Sequence, residues 1–162
     1  MLRCLALVAF VSAVACHREA PRPAPAAAAA PGGWVAAGAD LPLEAEVPPG
    51  FKRIGIEPGY TGGSVTVLIN PFPDDPGFDD KLAQWKTSFP GKLINKHKTA
   101  DGWVLSAEGE SLDEDGGSYK NHIFLVRRTV NGQPYMCHGF ARARAELGVA
   151  LGICASLRLK TP

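Results

Sequence analysis

Charge of a single sign is missing from this chain. Its 17 Lys and Arg meet 16 Asp and Glu across 162 residues, with both signs spread along the sequence. That balance argues against nucleic-acid binding driven by phosphate neutralisation. Long apolar runs are also lacking, because the most apolar stretch, residues 5–14, is too short to span a bilayer. Cysteine is scarce, four in all, and no Cys-x-x-Cys spacing occurs, which removes the redox-motif reading. Nor does the sequence contain a Gly-x-Ser-x-Gly elbow or a phosphate-cradling glycine loop, so nucleophilic and nucleotide chemistry have no motif behind them. Length, 18 Gly and 14 Pro fit one modest domain with some non-globular chain attached.

What is present begins at the N-terminus. Arg3 gives a short positive region, residues 5–14 an apolar core, and Ala13-Val14-Ala15-Cys16 closes with small residues before a cysteine, which is signal-peptide anatomy. Small residues suit a peptidase pocket, and the Cys16 thiol can accept a diacylglyceryl group. The segment resembles a bacterial lipoprotein signal with its lipobox, departing from the commonest pattern in having Ala13 where Leu is usual. The resemblance implies cleavage after residue 15, loss of Cys4 and lipidation of Cys16. Each buried acyl methylene contributes about 0.8 kcal/mol, so two or three chains anchor a protein to a membrane without a spanning helix. Asp after the lipidated cysteine commonly retains such proteins in the inner membrane; His17 stands there instead, so the expected location is the outer membrane, facing the periplasm or the cell surface.

Residues 16–33 read as a tether. Pro21, Pro23, Pro25 and Pro31 bracket five alanines, and that alanine run cannot meet the nucleation cost of a helix while the prolines favour extended chain. Residues 34–162 have the composition of a single globular domain. Strands are expected at 51–56 and 64–70, then an amphipathic helix at 79–89, where Leu82, Trp85 and Phe89 recur at spacings of three and four. Strands at 92–98 and 103–110 flank Asp101-Gly102 as a turn pair, and strands at 119–129 and 135–141 flank Asn131-Gly132, the strongest hairpin signal in the chain. A final helix at 143–157 carries Leu147, Ala150, Leu151, Cys154 and Leu157 on one stripe.

This order gives an α+β domain, an antiparallel sheet of about six strands with helices packed on its faces. The arrangement resembles the Mog1/PsbP-like fold on element order alone. Members of that group mostly bind or stabilise other proteins, so the resemblance implies a binding module, with no functional residue carried over.

Once Cys4 is lost and Cys16 lipidated, Cys137 and Cys154 form an even pair in an oxidising compartment, which predicts a disulfide. A two-residue turn at Asn131-Gly132 pairs Val126 with Cys137, Leu125 with His138 and His122 with Ala141. Phe124, Val126 and Cys137 then share one face, with Ile123, Leu125, Met136 and Phe140 on the other, so both faces need cover: the final helix on the cysteine side, the Trp85 helix opposite. Trp85 and Trp103 are expected in the core and Trp34 near the surface. His122 and His138 fall on opposite faces, so His97, His122 and His138 do not converge on one metal.

Residues 113–116, Asp-Glu-Asp-Gly, offer oxygens to a cation but lack the closing Glu of an EF-type loop, and read as a solvated hairpin tip. Arg127, Arg128, Arg142 and Arg144 alternate between faces rather than forming one anion patch. Gly148 and Gly152 are expected where the last helix approaches the sheet closely. The reading is a lipid-anchored envelope protein whose domain binds another envelope protein or component without catalysis, cofactor or nucleic acid. The alternative is a small hydrolase or metal-binding protein using His97, His122 or His138.

Overall fold

The computed structural model describes residues 32–74, 77–89, 91–112 and 115–161. Cys16 and residues 17–31 lie outside them, as do Asp113 and Glu114. The protein is α+β, with two antiparallel sheets and two helices.

The larger sheet has seven strands in the order β3-β4-β5-β9-β8-β7-β6. They are β3 (Lys52–Arg53), β4 (Gly59–Gly62), β5 (Val65–Pro71), β6 (Lys92–Thr99), β7 (Gly102–Leu112), β8 (Ser118–Val130) and β9 (Gln133–Ala141). Helix α1 (Phe78–Ser88) connects β5 to β6, and α2 (Arg144–Ser156) follows β9. The smaller sheet is β1 (Gly33–Ala36), β2 (Leu43–Val47) and β10 (Arg158–Leu159), with β2 central.

The β8–β9 hairpin turns on Asn131 (φ 49°) and Gly132 (φ 76°), the doubly left-handed backbone that matches the twist of paired strands. It sets the register read from the sequence: Val126 opposite Cys137, Leu125 opposite His138, His122 opposite Ala141. Because side chains alternate, this pairing fixes which residues meet each helix. On one face Phe124, Val126 and Cys137 join Tyr60, Val65, Val67 and Ile69 beneath Leu147, Ala150, Ile153 and Cys154 of α2, with Leu43, Ala45 and Val47 of the small sheet completing the core. On the other face Trp103, Leu105 and Met136 pack with Phe78, Leu82 and Trp85 of α1. The sheet is thus covered on both sides, as its two apolar faces require. Trp103 is buried, Trp85 half-buried and Trp34 exposed.

Phe89, just past α1, lies over Gly109 of β7, where a Cβ would stand 2.9 Å from the Phe89 ring. Tyr60 ties the two sheets together: it is fully buried and its hydroxyl donates to the Val35 carbonyl at 2.6 Å. Burial pushes that phenol well above the usual tyrosine range.

The structure corrects four expectations. Residues 51–56 form a strand only at Lys52–Arg53. Gly55 and Pro58 interrupt the rest, and Ile56 is 99% exposed. The Asp101-Gly102 pair is displaced by one residue: Thr99 pairs with Gly102, so Ala100 and Asp101 make the turn and Gly102 opens β7. The Asp101 carbonyl is held there by the Thr129 N–H at 2.7 Å. Gly148 and Gly152 have no neighbour within 4 Å of a would-be Cβ and face solvent; Ala150 and Cys154, not the glycines, meet the sheet. Finally, where one sheet of about six strands is expected, the described residues form a seven-stranded sheet and a second of three strands. The additions include β1, β2 and β10, in which Leu43, Ala45 and Val47 point inward between the outward Glu44 and Glu46.

Candidate functional site

Helix α2 is fixed to the sheet at both ends. At its start, Glu146 accepts the Ala143 N–H at 2.9 Å and receives Ser64 Oγ, 2.7 and 2.6 Å from its two oxygens. Those contacts, the Ser64 hydroxyl foremost, hold the Glu146 carboxyl below the usual range. In its last turn, Cys154 forms a disulfide with Cys137 of β9, Cα atoms 5.8 Å apart and both residues fully buried. At its end, Arg128 of β8 donates from Nη1 to the Cys154 carbonyl at 3.1 Å and to the Ala155 carbonyl. The Cys154 carbonyl also accepts the Leu157 N–H of the C-cap at 3.4 Å, and a cation there meets the negative end of the helix dipole.

Arg128 reaches the other way as well. Its Nε donates to Asp101 Oδ2 at 2.5 Å, so one side chain joins the end of α2 to the β6–β7 turn. Asp101 Oδ1 accepts from Thr99 at 3.1 Å, and Arg127 Nη1 donates to the Asp101 carbonyl at 3.4 Å and to Thr129 Oγ1 at 2.6 Å. The two adjacent arginines lie on opposite faces of the sheet and both hold this turn, so Arg127 and Arg128 act as struts rather than an anion patch. Arg142 instead lies over the Tyr119 ring, 4.9 Å from its centroid.

Beside the turn, on the α1 side, opens a cleft of about 520 Å³. Phe78 and Trp103 form its aromatic wall, ring centroids 6.3 Å apart, and Lys98, Asp101, Arg127 and Thr129 supply its polar rim. Lys98 sits 5.3 Å from the Phe78 centroid and pairs with Asp79 at 3.0 Å. The Trp103 indole N–H is buried and has no acceptor among the described residues. Aromatic walls with a mixed-charge rim suit a segment that is apolar on one side and polar on the other.

The histidines are separated. His138 of β9 is half-buried on the α1 face, with Nε2 3.0 Å from Asn70 Nδ2, and burial lowers its pKa. His122 is buried on the α2 face, opposite Glu108 on β7, and its Nδ1 has no partner among the described residues. His97 is exposed on β6 and registers with Val104, four residues from Glu108 along β7, about 13 Å at strand rise. No group of three His, Cys, Asp or Glu is placed to hold a metal among the described residues. Asp115 is exposed beside the undescribed Asp113 and Glu114.

No known family model matches this sequence, and no curated protein matches it either.

The Asp101–Arg128–α2 strut and the Phe78–Trp103 cleft were not singled out from the sequence. Arg128 registers with Gly102, the residue after Asp101, across β7 and β8, a pairing that the Asn131-Gly132 turn between β8 and β9 does not set.

Proposed function

We propose that this chain is a lipid-anchored bacterial envelope protein, held by acyl chains on Cys16, whose α+β domain is a non-catalytic binding module for another envelope protein. The observation that carries this reading is the buried Cys137–Cys154 disulfide, which is chemistry of an oxidising compartment. It agrees with the destination implied by the lipoprotein-like signal of residues 1–16. The Pro/Ala spacer supports it too, since at about 3.1 Å per extended residue it would let the domain stand off the membrane by roughly 50 Å. His17 after the lipidated cysteine favours the outer membrane. The helix, four-stranded meander and helix that follow β5 match the part of the element order on which a Mog1/PsbP-like relationship and, by analogy, a protein partner are proposed. The scattered histidines lend the hydrolase and metal-binding alternatives nothing.

Labelling with radioactive palmitate in a bacterial host tests the anchor. The wild type should incorporate label and resist extraction by salt, whereas Cys16→Ser should lose the label and move to the soluble fraction. Full membrane retention of the unlabelled variant would refute anchoring through Cys16.

A further inference from the structure

Strand β6 is the outer strand of the seven-stranded sheet, so one side of its backbone has no strand beside it among the described residues. It runs for eight residues, with a register break at Ile94 and an unbroken stretch from Asn95 to Thr99. Edges of this length normally invite pairing, and lysines are one means of restricting it. Residues 81–98 hold five lysines and no Asp or Glu. The question is what the edge still admits.

The register places the charges. Lys96 and Lys98 oppose Leu105 and Trp103, which belong to the α1 side of the sheet. Both lysines therefore stand on that side, at the two-residue repeat of a strand, about 7 Å apart. Asp79 of α1 bonds Lys98 at 3.0 Å, which shows that this flank of the helix faces β6. Lys86 lies seven residues on, two turns along the same flank. Lys86 and Lys96 are exposed, and neither forms an ion pair among the described residues.

We propose that the β6 edge accepts one added strand from a partner protein, an extended segment carrying Asp or Glu at alternate positions. An added strand would lie about 4.8 Å from β6, and its alternate side chains would project beside Lys96 and Lys98 at the same 7 Å repeat, with Lys86 across the groove. Carboxylates there would pair with Lys96 and Lys86, which have no ion pair among the described residues, and add to the Asp79 contact of Lys98; a second copy of β6 would set lysine against lysine, which is unfavourable between neighbouring strands. An anionic lipid surface fits less well, because Asp79 and Asp80 are exposed on the adjoining helix. This inference deepens the binding-module reading by naming the partner's chemistry, and it does not depend on Cys16.

The test uses the purified full chain and a ten-residue peptide alternating Glu with Thr and Val, read by fluorescence anisotropy and by amide hydrogen exchange. Binding should slow exchange within residues 95–99, and the same peptide with Gln for Glu should bind at least tenfold more weakly. The exposed charge reversal K86E/K96E should weaken the Glu peptide at least tenfold and gain binding to a Lys version of it. Unchanged exchange on β6 at saturating peptide, equal affinity of K86E/K96E for the Glu peptide, or protection of residues 95–99 by phosphatidylglycerol vesicles but not by the peptide would each overturn the proposal. Loss of palmitate labelling with intact peptide binding would count against the anchor alone.

Discussion

Removing the disulfide gives the sharpest test of how α2 is held. Cys137 and Cys154 are 17 residues apart, and the bond joins a central strand to the helix that covers one face of the core. In the chain-entropy model, opening a loop of this length releases about 3 kcal/mol of unfolded-state entropy. Taking the 125 described residues and an unfolding entropy of about 2.1 cal/mol/K per residue, the melting midpoint should fall by about 11 °C. Both residues are fully buried, so Cys137→Ala/Cys154→Ala also loses packed sulfur, and the drop should be somewhat larger than the entropic share. Calorimetry and urea unfolding at pH 7 would compare the variant with wild type, with and without reductant. The variant should show a steeper urea dependence, because an unfolded chain without the cross-link exposes more surface. It should also be insensitive to reductant. A midpoint within 2 °C of oxidised wild type, or two titratable thiols in protein isolated without reductant, would refute the reasoning.

Tyr60→Phe should cost about 1–3 kcal/mol in urea unfolding, because the Val35 carbonyl loses the hydroxyl that meets it between the two sheets. Gly109→Ala should cost about 1–3 kcal/mol and shift the Phe89 ring resonances, since the added methyl meets that ring at 2.9 Å. Glu146→Gln tests a titration. The Glu146 carboxyl is held below its usual range by Ser64, so folding favours the ionised form. Its contribution is complete above the ordinary carboxylate range and disappears as pH falls through the lowered value. The stability gap between wild type and Glu146→Gln should therefore be full at pH 7 and close in acid; a constant gap measured by urea unfolding from pH 7 to pH 3 would contradict this.

The sequence by itself determined the local elements whose signals are strong and short in range. Asn131-Gly132 takes left-handed backbone at little cost, so the turn could be read directly. From it the β8–β9 register and the two apolar faces followed by alternation, whereas the Cys137–Cys154 pairing comes from the even pair left when Cys4 and Cys16 are assigned to the signal and the lipid. The recurrence of Leu82 and Trp85, and of Leu147, Ala150 and Cys154, likewise showed which faces the helices would bury. Tertiary structure decided what depends on distant partners. Residues 43–47 place two glutamates among three inward apolar side chains, a pattern of low strand propensity, and they form a strand because β1, β10 and the main sheet supply pairing and cover. Residues 51–56 are richer in β-formers yet mostly remain unpaired, since Gly55 and Pro58 bend the chain away. Asp101 became a turn residue because the Thr129 N–H and both arginines of β8 hold it there. The Phe78–Trp103 cleft exists only once α1 lies on the sheet. Periodicity tells which way a side chain points, but not which element will be lying opposite it.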